Sequence, residues 1–406
     1  MSFFRSVGLI AAGSMVIALT GCGGDSNNNN DDDGAIVGST AIIQTAAPDY
    51  SGSDVQVVDL SSEILTASDA TLSKDQSDYS VEVFGETFFH IGRFGIDTFE
   101  AYDVVNIDVE PVTLATKDGP ESDSSNVQAV AFASSEKAYL IGLGNDSIWI
   151  VNPKAQSQEA FKLGEIDISA YADEDGLPEA VSGVVVDGKL YVVMQRIDRI
   201  NGWSPVVEGV DPYIAVFDIE TDTEIDTNPN DDENNLKGMP IAVRNPLSLF
   251  YNSSVGLFVV GSGDPNGAAF YGRPLGYEGG ILKVDTTNFT TEFVIDDGTD
   301  AEGDHPYGYI INATVIDSEN GYFVGQESYQ VTNLFHFNPT TGDTTQVSAY
   351  NGMDLGSLTT GPKGRVWLGI FDAADPRIEL LNADQTVDTT IAVEQNPKKV
   401  VFSEAP

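Results

Sequence analysis

A short apolar segment that ends in Asp or Asn recurs seven times, and this repeat constrains the fold more than any other sequence feature. The copies are Val55–Asp59, Phe99–Asp103, Ile148–Asn152, Ile214–Asp218, Ile281–Asp285, Leu334–Asn338 and Ile378–Asn382. Neighbouring copies start 44, 49, 66, 67, 53 and 44 residues apart. The terminal Asp or Asn suits a following turn, because its side chain can accept a hydrogen bond from the backbone two residues on.

A second apolar run precedes each copy, and a third, weaker run precedes most of those. Gly188–Val193, Gly256–Val260 and Gly364–Leu368 represent the second run, and Val127–Phe132 and Ala180–Val186 represent the third. These runs are rich in β-branched and aromatic residues and show no sustained helical period. Repeats of ~40–50 residues that contain several strands are typical of propeller blades. The sequence therefore predicts an all-β, seven-bladed β-propeller.

The two ends of the repeat array complement each other. The first blade begins near Thr40 and lacks an inner strand, whereas Lys398–Phe402 is a spare strand at the C-terminus. Pairing the spare strand with the first blade would close the ring and remove the exposed edges of an open array. We therefore expect the C-terminal strand to join the first blade.

The only cysteine of the 406 residues is Cys22. It follows a positive start at Arg5 and an apolar stretch at residues 7–19, which is the layout of a secretory signal peptide. The run Leu-Thr-Gly-Cys at residues 19–22 resembles a bacterial lipobox. That resemblance implies cleavage before Cys22, acylation of its sulfur, and attachment to a membrane by more than one acyl chain, which is needed for stable anchoring.

These features divide the chain into a signal peptide at residues 1–21, an acylated Cys22 with a flexible Asn/Asp-rich leash up to residue 38, and a propeller at residues 39–406. The residue after the cysteine is Gly23 rather than Asp. By resemblance to the sorting signals of Gram-negative lipoproteins, this favours an extracytoplasmic position at the outer membrane.

Charge limits the partners of this protein. The chain has 63 acidic and 19 basic residues and a formal net charge of −44. Such a field repels nucleic acid, so we expect no nucleic-acid partner. The expected partners are the membrane, through the lipid anchor, and a surface protein, a peptide or a glycan, with the protein acting as a monomer.

Gly188–Val193 and the runs around Tyr139 and Phe258 resemble seven-bladed propellers of the YVTN type. Residues Asp167–Glu179, followed by Gln195–Arg199, are similar to uncharacterised bacterial cell-surface lipoproteins. The resemblance implies the propeller fold over nearly all of residues 39–403. It implies no particular activity, because propellers host many unrelated functions.

The inner strands of a propeller all start at one face, which we name the first face; the opposite face is the second face. Two long loops are expected on the first face, at Arg196–Pro212 and Gly261–Gly279, and long loops on a rigid scaffold often bind ligands. The candidate ligand-binding residues on these loops are Arg196, Arg199, Trp203, Tyr271 and Arg273. The arginines suit an anionic or sugar-acid ligand. Alternatively, each arginine holds its own acidic loop in place.

Acidic loops also make a metal site conceivable. The candidate ligands are Asp173 and Asp175 in one loop and Asp304 and His305 in another, and calcium is the ion that such oxygen-rich loops would hold. Neither loop has the full ligand pattern of an EF-hand. A solvated acidic loop is the alternative.

Two functions are compatible with the sequence. One is a surface-displayed binding or assembly module with its ligand on the first face. The other is a lactonase- or hydrolase-like enzyme with a carboxylate or metal site at the channel mouth. The chain lacks Gly-x-Ser-x-Gly, His-Glu-x-x-His and a phosphate-binding glycine loop, so no catalytic residue is assigned and binding is favoured.

Overall fold

Seven antiparallel sheets surround a central channel in the computed structural model, which describes residues 38–104, 106–197, 210–229, 235–265, 276–299 and 303–404. The strand of each sheet nearest the channel, its inner strand, contacts the inner strands of both neighbouring sheets around the whole ring. This confirms the predicted seven-bladed all-β propeller. We number the sheets as blades 1 to 7 in ring order.

Blades 1 and 2 consist of β1 (Gly38–Ala46), β2 (Ser53–Asp59), β3 (Leu72–Lys74) and β29 (Asn396–Glu404), and of β4 (Tyr79–Phe84), β5 (Thr87–Gly92), β6 (Thr98–Asp103) and β7 (Thr113–Ala115). Blades 3 and 4 consist of β8 (Val127–Ser134), β9 (Lys137–Gly142), β10 (Ser147–Val151) and β11 (Lys162–Asp167), and of β12 (Ala180–Val186), β13 (Lys189–Met194), β14 (Tyr213–Asp218), β15 (Thr223–Glu224) and β16 (Met239–Pro240).

Blades 5, 6 and 7 consist of β17 (Pro246–Asn252), β18 (Gly256–Gly261), β19 (Gly280–Asp285) and β20 (Thr290–Asp296), of β21 (Tyr309–Val315), β22 (Gly321–Ser328), β23 (Val331–Phe337) and β24 (Thr344–Gln346), and of β25 (Leu355–Thr360), β26 (Val366–Ile370), β27 (Arg377–Leu381) and β28 (Val387–Ala392). The described helical segments are α1 (Gln158–Phe161) and the 3-10 turns Ser169–Tyr171, Ser348–Tyr350 and Pro362–Gly364. No helix in these ranges is long and apolar enough to cross a membrane.

Each blade has a fourth, outer strand that the sequence analysis did not identify. The outer strands are short or largely exposed: β15 has two residues, and β20 buries only one of its seven. They cover the polar rim of the ring and therefore lack the continuous apolar pattern of the inner three strands. Middle strands such as β13 are buried on both sides and read as apolar runs.

The C-terminal strand closes the ring as predicted. In blade 1, β29 is the inner strand and pairs antiparallel with β1, with Phe402 opposite Ala41 and Val401 opposite Ile42. Phe402 also packs edge-to-face against Trp367 of blade 7, with ring centroids 5.2 Å apart. Both rings are buried. The last strand thus completes the sheet of blade 1 and packs blade 1 against blade 7.

The described residues form seven hydrophobic clusters, and each lies between two neighbouring blades. Between blades 5 and 6, for example, Phe258 packs with Phe323 and Phe335. Between blades 1 and 2, Ile42 packs with Val81 and Phe88. Because the core consists of these interfaces, the channel itself is free to carry polar side chains.

Among the described residues, the terminal Asp or Asn of five copies of the repeat has the predicted turn role. Its side-chain oxygen accepts a hydrogen bond from the backbone N–H two residues on, at 2.8–3.0 Å. The residues are Asp59, Asn152, Asp218, Asp285 and Asn338. The repeat therefore encodes a turn on the second face of each of these blades.

Candidate ligand-binding site at the channel mouth

A cavity of about 710 Å³ occupies the channel and opens at the first face. Inner strands of all seven blades line it, mostly with small polar side chains. They contribute, in ring order, Lys399, Ser80, Gln128, Ser182, Ser248, Asn312 and Thr359. The volume lies within the range of small-molecule sites, ~300–1,000 Å³.

Five charged side chains line the cavity. Three are basic, Arg93, Lys398 and Lys399, and two are acidic, Asp78 and Glu82. This balance contrasts with the whole chain, in which acidic residues outnumber basic ones 63 to 19. The two carboxylates are each paired, Asp78 with Arg93 and Glu82 with Lys399. The remaining charge is the ammonium group of Lys398.

Arg93 joins blades 2 and 3 at the first face. Its Nε and Nη2 donate to Asp78 Oδ1 at 2.8 and 2.5 Å, and its Nη1 donates to Gln128 Oε1 at 2.8 Å. Gln128 in turn donates to Asn126 Oδ1 at 2.7 Å. These contacts hold the guanidinium plane in a fixed orientation at the rim of the cavity.

Lys398 lies on the neighbouring blade, between two aromatic rings. Its Nζ is 4.3 Å from the centre of the Phe371 ring and 5.1 Å from that of Tyr50. Among the described residues, no carboxylate lies within ion-pairing distance of Nζ. Burial lowers the pKa of Lys398, the Arg93 charge lowers it further, and Asp354 opposes both. We call Asp78, Tyr79, Arg93, Gln128 and Lys398 the channel-mouth site.

Lys399 points to a deeper position on the same strand. Its Nζ donates to Glu82 Oε1 at 2.7 Å, which joins the inner strands of blades 1 and 2. Glu82 is buried, and burial raises its pKa, although the Lys399 charge and hydrogen bond oppose this effect. This pair therefore neutralises itself and contributes no net charge to the cavity.

Tyr79 of the channel-mouth site stacks on His90, with ring centroids 4.4 Å apart and planes 9° from parallel. His90 Nε2 donates to Gln44 Oε1 at 3.0 Å. Burial lowers the pKa of His90, which keeps its ring neutral near pH 7. His90 thus supports the Tyr79 ring from behind and does not itself line the cavity.

One of the five predicted ligand residues, Arg196, lies within the described part of the chain. Its Nε donates to the Tyr171 carbonyl and its Nη1 to the Asp211 carbonyl, both at 2.8 Å, and its guanidinium stacks over Tyr213. Arg196 thus holds the base of its own loop and does not line the cavity. The other four, Arg199, Trp203, Tyr271 and Arg273, lie outside the described residues.

The four predicted metal ligands lie in two separate loops. Asp173 Oδ1 accepts from the Asp175 N–H at 3.0 Å, and Asp175 Oδ1 accepts from the Leu177 N–H at 2.9 Å. Asp304 accepts from the Thr299 hydroxyl at 2.7 Å, and His305 stacks on Tyr277 at 4.1 Å. The described residues contain no group of three or more His, Cys, Asp or Glu side chains that could hold a metal. A calcium or other metal site at these loops stays a prediction.

Asp297 is a titratable group that the sequence analysis did not single out. Its side chain is buried, and both carboxyl oxygens accept from the Gly279 N–H at 3.1 Å. Burial raises the pKa of Asp297 to about 7, helped by the nearby charges of Asp296 and Glu278. It lies at the first face of blade 5 but does not line the cavity, so we treat it as a structural group.

The chain matches no protein-family model and no curated protein sequence. Its fold is similar to that of a candidate 6-phosphogluconolactonase from Bacteroides uniformis, with 12% identity and a TM-score of 0.54 over 89% of this chain and 98% of the other. A second from Bacteroides fragilis has 13% identity and a TM-score of 0.53 over 92% and 100%. A hypothetical selenium-binding protein from Sulfolobus tokodaii has 11% identity and a TM-score of 0.59 over 91% and 94%. At these identities the similarity shows the propeller fold alone.

Proposed function

We propose that this protein is a lipid-anchored, extracytoplasmic binding module that holds an anionic ligand at the channel-mouth site. The observation that carries this proposal is the charge of the cavity: its two carboxylates are paired, and Lys398 remains without a carboxylate partner among the described residues. In a chain of net charge −44, a cavity-lining ammonium group with no ion-pair partner among the described residues is a specific feature.

The neighbours of Lys398 support anion binding. Arg93 lies near enough for its charge to lower the pKa of Lys398, so an anion between the two cations would relieve their repulsion. The rings of Tyr50 and Phe371 pack against Lys398 and cover part of its surface. Electrostatic attraction is stronger where water is excluded. A carboxylate is therefore the simplest ligand group for this position.

Calorimetric titration of the purified protein with D-glucuronate, and with neutral D-glucose, tests this proposal. We expect glucuronate to bind and glucose to bind far more weakly. Lys398→Gln should weaken glucuronate binding by about tenfold or more, because hydrogen bonds to charged groups contribute about 1.5–3 kcal/mol. Lys363→Gln, an exposed lysine on the second face, is the matched control. Equal affinity of the wild-type protein and Lys398→Gln for glucuronate would contradict the proposal.

The anchoring part of the proposal is supported by the lipobox-like run before Cys22, which lies outside the described residues. Cys22→Ala should leave the precursor unprocessed or release the protein from the membrane fraction, since Cys22 is the only thiol in the chain. Metabolic labelling with a palmitate analogue, followed by membrane fractionation, measures both effects. A processed Cys22→Ala protein that still requires detergent for extraction would exclude lipid anchoring.

A lactonase- or hydrolase-like activity at the same mouth is the second candidate. It is favoured by Glu82, a cavity-lining carboxyl with a raised pKa, since such groups can serve as general acids or bases. Two of the structural neighbours are candidate lactonases. Acid release from glucono-δ-lactone, followed in a pH-stat, tests this activity. Turnover no faster than that of Glu82→Gln would reject a catalytic Glu82.

A further inference from the structure

The inner strands share an irregularity that shapes the cavity. In six of the seven blades, the inner strand has a β-bulge near its first-face end, where it carries one residue more than the paired strand. The inner strand of blade 2, β4, pairs without a bulge. Bulges redirect side chains and are frequent at the rims of barrels and beside active sites.

The residues at these bulges divide the ring into a polar side and an apolar side. The extra residues are Lys398 in blade 1, Gln128 in blade 3, Val181 in blade 4, Leu247 in blade 5 and Ile311 in blade 6; in blade 7, Gly356 and Ser357 together stand opposite one residue of the paired strand. Lys398, Gln128, Val181 and Leu247 all line the cavity. Val181 also packs against the core between blades 4 and 5, and Ile311 does not line the cavity but packs against the core between blades 6 and 7.

The order of the blades determines which of these residues face each other. In a ring of seven, blades 4 and 5 lie opposite blade 1, so Val181 and Leu247 lie across the channel from Lys398. Blades 2 and 3, which carry Arg93 and Gln128, follow blade 1 on the polar side. Val181 and Leu247 are only half-buried and therefore offer apolar surface to a ligand.

We infer that the ligand is a small amphiphilic anion whose acidic head group contacts Lys398 and whose apolar body packs against Val181 and Leu247. This inference rests on the proposed binding function and specifies the class of its ligand. It follows from the position of a charged residue directly across the channel from two apolar ones. A fully polar sugar acid could contact Lys398 and the serines of blades 4 and 5, but it would leave the apolar surface of Val181 and Leu247 without a partner.

A chain-length series of linear carboxylates tests this inference in the wild-type protein. Acetate, butyrate, hexanoate and octanoate share one head group and differ only in apolar length. We expect affinity to rise about two- to fourfold for each added methylene until the cavity is filled. Hexanamide, which has the same length as hexanoate without the charge, should bind at least tenfold more weakly than hexanoate.

Variants then test which residue contacts the acidic head group of the ligand and which contacts its apolar body. Lys398→Gln should weaken all four carboxylates by a similar factor, whereas Leu247→Asn should weaken octanoate and leave acetate unchanged. Val181→Thr, which keeps the side-chain shape, serves as the second apolar-side variant if Leu247→Asn does not fold. A flat chain-length series that still depends on Lys398 would overturn this inference and leave the binding proposal standing. Binding of no carboxylate at all would overturn both.

Discussion

Lys399 and Glu82 are 317 positions apart in the sequence, yet their charged groups form a 2.7 Å hydrogen-bonded ion pair across the junction of blades 1 and 2. Glu82 is almost fully buried, whereas the side chain of Lys399 keeps 30% of its surface exposed. The pair links the C-terminal strand to the inner strand of the next blade. Ring closure therefore includes a buried electrostatic contact in addition to strand pairing.

Removing the cation should destabilise the fold in a pH-dependent way. Lys399→Met leaves Glu82 without its counter-charge, which raises the pKa of Glu82 beyond the effect of burial alone. Glu82 then loses its proton at a lower pH in the unfolded chain than in the folded chain. The free energy of unfolding of the variant therefore falls as pH rises. We expect a loss of about 3 kcal/mol at pH 8, and a smaller loss at pH 5, in urea unfolding.

The double variant Glu82→Gln with Lys399→Met separates this effect from lost packing. It carries no buried carboxylate, so it should recover part of the stability at pH 8 and show little dependence on pH between 5 and 8. If both variants lose the same stability at both pH values, the ion pair makes no electrostatic contribution.

Ring closure should depend on the last strand. Deleting residues 397–406 removes buried Val400 and Phe402 and exposes an edge of β1. We expect a loss of several kcal/mol, since deleting one large buried side chain costs about 2–5 kcal/mol. Thermal unfolding measures the loss, and a chain that lacks only residues 405–406 is the control. An unchanged melting temperature after the longer deletion would contradict the closure.

Asp297 should make the folded protein less stable as pH rises. Its pKa is about 7 in the folded protein against an ordinary value of 3.8, so between these values only the folded state holds the proton. Stability therefore falls across this window, by up to about 4 kcal/mol. Asp297→Asn cannot ionise and should be more stable than the wild-type protein at pH 8, with a smaller advantage at pH 5.

Differential scanning calorimetry at the two pH values measures this difference, with the exposed Asp123→Asn as the control. An advantage of Asp297→Asn that does not grow between pH 5 and pH 8 would show that Asp297 titrates normally. The comparison between variant and wild type cancels the contributions of the other carboxylates.

The sequence predicted those parts of the fold that each blade encodes locally. The apolar runs were recognisable because they repeat, and so were the turns after Asp59 and Asp218. The spare strand at Lys398–Phe402 was recognisable because the repeat array gave it no partner in its own blade. The outer strands were missed because a strand such as β15, with only two residues, has no detectable pattern. Seven blades could therefore be counted, but not all strands of each blade.

The channel-mouth site was predicted only in part. Arg93 directly follows β5, the second strand of blade 2, so its position at the first face can be read from the sequence. Lys398 was assigned to the closing strand and to no site, because its partners Tyr50 and Phe371 lie far from it in sequence. The one available signal was a pair of lysines, Lys398 and Lys399, at the start of an otherwise apolar inner strand. Which of the two occupies the bulge depends on pairing register, which the sequence does not specify.

Shortening the long first-face loop of blade 4 distinguishes two positions for the ligand, the long loops and the channel mouth. The hypothesis drawn from the sequence assigns binding to the long loops, through residues such as Arg199 and Trp203, and predicts that shortening this loop abolishes binding. The channel-mouth proposal assigns binding to Lys398 in blade 1, which lies across the channel from blade 4, and to Arg93 in blade 2, which is separated from blade 4 by blade 3.

We therefore expect that replacing residues 198–209 with a short Gly-Ser linker leaves glucuronate affinity within about twofold of the wild-type value. Stability should change little, because the cost of loop closure depends only weakly on loop length. The replacement retains Arg196, which holds the base of the loop through Tyr171 and Asp211. Calorimetric titration beside Lys398→Gln compares the two positions directly. Loss of binding in the loop variant, with normal binding in Lys398→Gln, would move the site from the channel mouth to the long loop.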